Sequence, residues 1–167
     1  MIDFAALQDF VYTERCHDSC VHGLEHWRQV EFNGLMLAKK TKADITVVRL
    51  FALFHDSKRV DDGYDGEHGL RGAEFAKECY ENKMLDITEE QFKKLYDACR
   101  LHTVVGKFGD VTIDTCFDSD RLDLGRVGFK LNPLKMATSM GAEIAKKSNR
   151  EQIDPYRMRE WIKNLAL

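Results

Sequence analysis

Proline is nearly absent from this chain: two in 167 residues. With so few breaks, long helices meet no obstacle. Long apolar runs are missing as well. No stretch reaches 18 consecutive apolar residues, so no membrane-crossing helix is expected. The five cysteines, Cys16, Cys20, Cys79, Cys99 and Cys116, are odd in number and form no CxxC pair. They suit reduced thiols in a cytoplasmic protein better than a disulfide framework. The opening MIDFAALQDF has early acids and no basic region, which argues against a secretory leader. An excess of positive charge is also lacking. The net charge is −3, so there is no general field for a nucleic-acid polymer or an anionic membrane, and neither is an expected partner.

What the chain does have is 3.6-residue periodicity. It predicts an all-α helical bundle in one domain spanning 1–167, with a core at about 20–125 and C-terminal helices at 133–166. Phe4, Leu7 and Val11 mark a first helix, and a second runs from about His22 to Lys40. Asp44 caps a third, Ile45 to about Lys58, which is apolar nearly all round and therefore central. The Gly-rich loop VDDGYDGEHG precedes a helix from about His68 to Asn82. Thr88 and Gln91 form a capping box for a helix ending near Thr103. A sixth helix covers Ile113 to Leu124. Asn132-Pro133 and Asp154-Pro155 are cap-plus-proline pairs expected to start two more.

Several polar groups sit on the apolar faces of these helices. Phe92, Leu95, Cys99 and His102 share one stripe. Ile113, Cys116, Phe117, Asp120 and Leu124 share another, which turns Asp120 inward and leaves Asp118 and Arg121 nearer solvent. His26 lies with Val30 and Leu37. His55 and Asp56 close the most apolar helix of all. One inward histidine is usually a hydrogen-bonded core residue. Five inward groups on four helices have a simpler common cause, because buried charges are paired or bind metal. Imidazole with carboxylate suits Zn, Mn, Fe, Ni or Co. His22, one turn before His26, is an alternative ligand or a group at the mouth of the site. Cys16, His17, Cys20 and His22 match no zinc-finger spacing and read as a loop with two free thiols.

The order His26, His55-Asp56, Asp120, carried by HGLEHWRQV, LFALFHDSKR and DSDRLDLGR, resembles the HD superfamily of metal-dependent phosphohydrolases. The likeness covers roughly residues 20–125. EHGLRGAEFA, with His68, and CRLHT, with His102, resemble the further histidines of members with an enlarged site. The resemblance implies an HD-domain-like bundle with His26, His55, Asp56 and Asp120 as metal ligands. It implies His68 and His102 as ligands of a second metal or as phosphate contacts. Lys58 falls where a phosphate-contacting lysine is expected, with Arg59 as a rival for the role. Asp123, one turn past Asp120, is a candidate for orienting a ligand histidine.

The implied activity is hydrolysis of a phosphomonoester or phosphodiester, of a nucleotide-like or other small phosphorylated metabolite, using one or two divalent transition metals per chain. Two other readings stay open. An HD-fold dinuclear iron oxygenase would use the same six ligands, and a non-catalytic metal- or ligand-binding regulator would keep the fold alone. A homo-oligomer through the C-terminal helix, with Met158, Trp161, Ile162 and Leu165, is also open.

Overall fold

The computed structural model describes residues 1–165. The described residues contain eight α-helices and no strand, so the fold is all-α. They are α1 (Phe4–Thr13), α2 (Leu24–Thr41), α3 (Ile45–Phe54), α4 (His68–Glu81), α5 (Glu89–Leu101), α6 (Val111–Arg121), α7 (Ser139–Glu151) and α8 (Met158–Lys163). The expected last helix was to end at residue 166, which lies outside the described residues. No helix among those described is long and apolar enough to cross a membrane.

Helix α3 occupies the centre and touches α1, α2, α4, α5 and α6. Its composition explains the position. Val47, Val48, Leu50, Phe51, Ala52 and Phe54 are completely buried, and a helix that is apolar on every face has no side to offer water. Asp44 caps it by accepting from the backbone N–H of Thr46 and Val47. The Thr88–Gln91 capping box is present at the start of α5. A second, smaller apolar cluster joins α2 to the C-terminal segment through Leu37, Leu122, Ile144, Met158 and Ile162.

Helix α3 stops at Phe54 rather than near Lys58. The carbonyl of Phe54 accepts from both the backbone N–H and the hydroxyl of Ser57. Bonds to the third residue on tighten the chain into a turn instead of continuing the helix. The first proline pair opens only a single turn, Pro133–Lys135, whereas the turn at Pro155–Arg157 runs directly into α8. After the first, the chain runs extended through Met136, and α7 begins afresh at Ser139 under a Thr138 cap.

That extended stretch corrects one expectation. Asp118, read as solvent-facing, is fully buried. Its carboxylate accepts from the N–H of Ala137 (2.7 Å), the N–H of Thr138 (2.8 Å) and the Thr138 hydroxyl (2.7 Å). Burial nevertheless holds its pKa above the ordinary value, against the pull of these hydrogen bonds. Arg121 is half-buried and donates to the carbonyls of Val105, Gly106 and Lys135. Asp118→Ala leaves two buried N–H groups without an acceptor. We expect it to lower unfolding free energy by about 3 kcal/mol, read as a shift of the urea midpoint at unchanged slope.

Candidate metal centre

Six side chains converge at one end of α3. His55 and Asp56 follow its last turn, His26 projects from α2, and His68 opens α4. His102 directly follows α5, and Asp120 sits near the end of α6. All except Asp120 are nearly or fully buried. Two trios within the set, His26–His55–Asp56 and Asp56–His68–His102, each bring their ligand atoms within 4.8 Å of one another. These buried groups can hold a metal ion.

The helices reach this point through close contact. A Cβ on Gly72 would lie 2.4 Å from the Phe54 carbonyl, and one on Gly69 would lie 2.5 Å from the Cys99 carbonyl. Both glycines sit in the first turns of α4. Their missing side chains let that helix lie against the end of α3 and the end of α5 together, which carries His68 to His102.

The tautomers can be read from the hydrogen bonds. His26 Nδ1 donates to Asp123 (2.7 Å), His55 Nδ1 to the Phe51 carbonyl (3.1 Å) and His102 Nδ1 to the Cys99 carbonyl (2.7 Å). His68 Nδ1 donates to the Asp65 carbonyl. With every Nδ1 proton directed backward, each Nε2 faces the centre, and on the neutral rings it turns a lone pair there. His26 Nε2 and His55 Nε2 are 3.1 Å apart, as are His68 Nε2 and His102 Nε2. The carboxylate of Asp56 lies between the pairs. Its Oδ2 is 3.4 Å from His26 and 3.5 Å from His55, and its Oδ1 is 3.2 Å from His68 and 3.9 Å from His102. Asp120 Oδ1 lies 3.3 Å from His26 and 3.8 Å from His55.

Electrostatics sharpens the point. Burial holds His55, His68 and His102 below the usual imidazole pKa, so they are neutral. Burial opposes charging of His26 too, but Asp120, Asp123 and Asp56 outweigh it and raise that pKa well above normal. The Asp56 and Asp120 carboxyls are held below the ordinary value despite their desolvation, with the protonated His26 ring beside both. Between His68, His102 and Asp56 Oδ1 there is then no proton to share. Three electron-rich atoms face one another in a buried space, an arrangement that a cation relieves. Two nitrogens 3.1 Å apart and each about 2.1 Å from a common ion would subtend roughly 95°, an ordinary angle between neighbouring ligands.

The other expected residues divide. Asp123 is buried and holds His26. Arg59 is buried beside the cluster, its Nη1 3.6 Å from Asp56 Oδ1. His22 lines the small cavity over the cluster, but its Nδ1 faces Asp62 at 3.2 Å and it belongs to neither trio. Lys58 does not join the site. The turn after Phe54 swings its stem outward, where its ammonium lies 3.9 Å from the centre of the Phe75 ring and donates to the Glu14 carbonyl. Tyr64 is fully exposed and does not line the cavity. Cys16 and Cys20 are free and exposed.

Sequence reasoning missed Arg126, which also lines the cavity. It donates to Asp123 (3.2 Å) and to the Val21 carbonyl. Its only sequence signal is the three-residue spacing from Asp123.

Two outcomes follow from this geometry. Asp123→Ala releases the His26 ring and should weaken metal affinity about 10- to 100-fold, measured by chelator competition. Metal must also displace the extra proton of His26. Affinity should therefore fall as pH is lowered, with proton release on binding detectable by calorimetry in buffers of different ionisation enthalpy. Compared with family models, with curated proteins and with solved structures, the chain finds no match in any of the three, so a functional reading rests on the chemistry of these side chains.

Proposed function

We propose that the protein is a metal-dependent phosphohydrolase with a dinuclear centre of the HD-superfamily type. The observation that carries this reading is Asp56. Its two oxygens face different histidine pairs, so Asp56 would help to hold metal with His26, His55 and Asp120 on one side and with His68 and His102 on the other. The donor set suits Mn, Fe, Co, Ni or Zn.

The divalent ions would supply Lewis-acid charge, which makes water acidic enough to attack near neutral pH and neutralises phosphoryl oxygens. The protein's own groups do the rest. Backbone carbonyls and Asp123 fix the imidazole rings so that every Nε2 is already aimed at the centre. Arg59 and Arg126 line the cavity above the cluster and present guanidinium N–H groups suited to phosphate oxygens. These two guanidiniums, beside the carboxylates that would hold metal, favour a phosphate ester over an uncharged substrate. Asp120, the most exposed of the six, faces the cavity and is placed to accept a proton from an attacking water.

The test is elemental analysis of protein purified without chelator or affinity-tag metal, followed by phosphate release from p-nitrophenyl phosphate and bis(p-nitrophenyl) phosphate. About two ions per chain and metal-dependent release are expected. Asp56→Ala, folded by circular dichroism, should lose both metals and more than about 100-fold of the activity. Wild-type metal content in that variant would sink the proposal. Two irons with oxygen uptake and no phosphate release would transfer it to the oxygenase reading.

A further inference from the structure

A second hollow, about 850 Å³ in volume, adjoins the metal centre. It shares His102, Thr103, Asp120 and Leu124 with the small cavity over the cluster, so the two spaces meet at the ligands themselves. Its walls come from two loops, one following α5 and the other leading toward α7. Arg121 ties these walls together, donating to Val105 and Gly106 on one side and Lys135 on the other. A single half-buried guanidinium thus sets the width of the groove before anything binds.

The lining has two chemical characters. Val104, Phe129 and Leu134 expose 69%, 64% and 92% of their surface, which is a costly display for three large apolar residues around one hollow. Lys107, Lys130 and Lys135 line the same space. Among the described residues none of these ammonium groups has a carboxylate within 4.0 Å. The chain as a whole is acidic, yet here three cations gather without partners. Lysine meets phosphate as a mobile point charge, whereas the apolar wall suits an organic body.

We propose that this groove holds the substrate's organic portion, and that the substrate is a phosphate ester with an apolar or aromatic body and a second phosphate beyond it. The proposal rests on the reading of the His/Asp cluster as a phosphate-cleaving centre. The reactive phosphate sits at the cluster with Arg59 and Arg126. The body passes the lip at Thr103 and Leu124 and lies along Phe129, and the second phosphate reaches the lysines.

Calorimetry on the full chain, with and without metal, tests this with matched pairs. Phenyl phosphate is compared with 1,4-phenylene bisphosphate, and adenosine 5′-phosphate with adenosine 3′,5′-bisphosphate. At least one bisphosphate should bind about tenfold more tightly than its partner. The triple variant Lys107→Ala, Lys130→Ala, Lys135→Ala should abolish that preference, with circular dichroism, metal content and monophosphate binding unchanged. Equal binding within both pairs, or a preference that survives the triple variant, overturns the proposal. So does a stable dimer in sedimentation that Phe129→Glu dissociates, because a second copy would then fill the groove. A lysine-dependent preference in protein that hydrolyses nothing even when loaded with metal would uphold the groove while the phosphohydrolase reading falls. Hydrolysis without any lysine effect would do the reverse.

Discussion

A carboxylate buried among four imidazoles is the constraint on which the rest of this structure depends. Asp56 is 6% exposed and His55 wholly enclosed. Ion pairs at such depth are weak grounds for stability, since desolvation cancels much of the attraction. The fold meets the difficulty by fixing every ring from behind. Three of the four anchors are main-chain carbonyls, of Phe51, Cys99 and Asp65. They come from the end of α3, the end of α5 and the loop before α4. Ring orientation is thereby tied to backbone that the helices already determine. Only His26 relies on another side chain, Asp123.

The same economy appears in the segment after α6. Asp118 and Arg121, three residues apart on that helix, both reach across to main chain. Asp118 accepts the N–H groups of residues 137 and 138, and Arg121 donates to carbonyls on either side of the groove. One helix thus carries an acid facing the histidine cluster, an anchor for the C-terminal segment and a brace for two loops. It can do so because Asp118 and Arg121, three residues apart, share one face, while Asp120 between them points to another.

Much of this was legible before any coordinates. The inward placing of His102 and Asp120 follows from periodicity, since their helices are regular and their neighbours apolar. His26 was distinguishable from His22 because its stripe continues into Val30 and Leu37. The failures share a cause. Asp118 looked solvated because its partners lie about twenty residues later, in a stretch whose extended path has no local signature. Lys58 falls where the resemblance places a phosphate-contacting lysine, whereas a serine bond to Phe54 ends α3 early and the lysine reaches Phe75 instead. His68 stood on a motif alone, since its approach to His102 comes from a helix contact that no spacing reveals. Arg126 offered only its three-residue spacing from Asp123.

The close seating of α4 has a further consequence. Gly69 and Gly72 let backbone meet backbone, so His68 is located by the packing of one helix on two others. The connection from Val60 to Glu67 is clamped to the same helix at Asp65, whose carbonyl accepts from the His68 ring and whose carboxylate pairs with Arg71. Its Asp61 and Gly63 carbonyls accept from Arg59. The loop is therefore part of the fixture, and room for change lies at positions such as Tyr64, which stands in solvent.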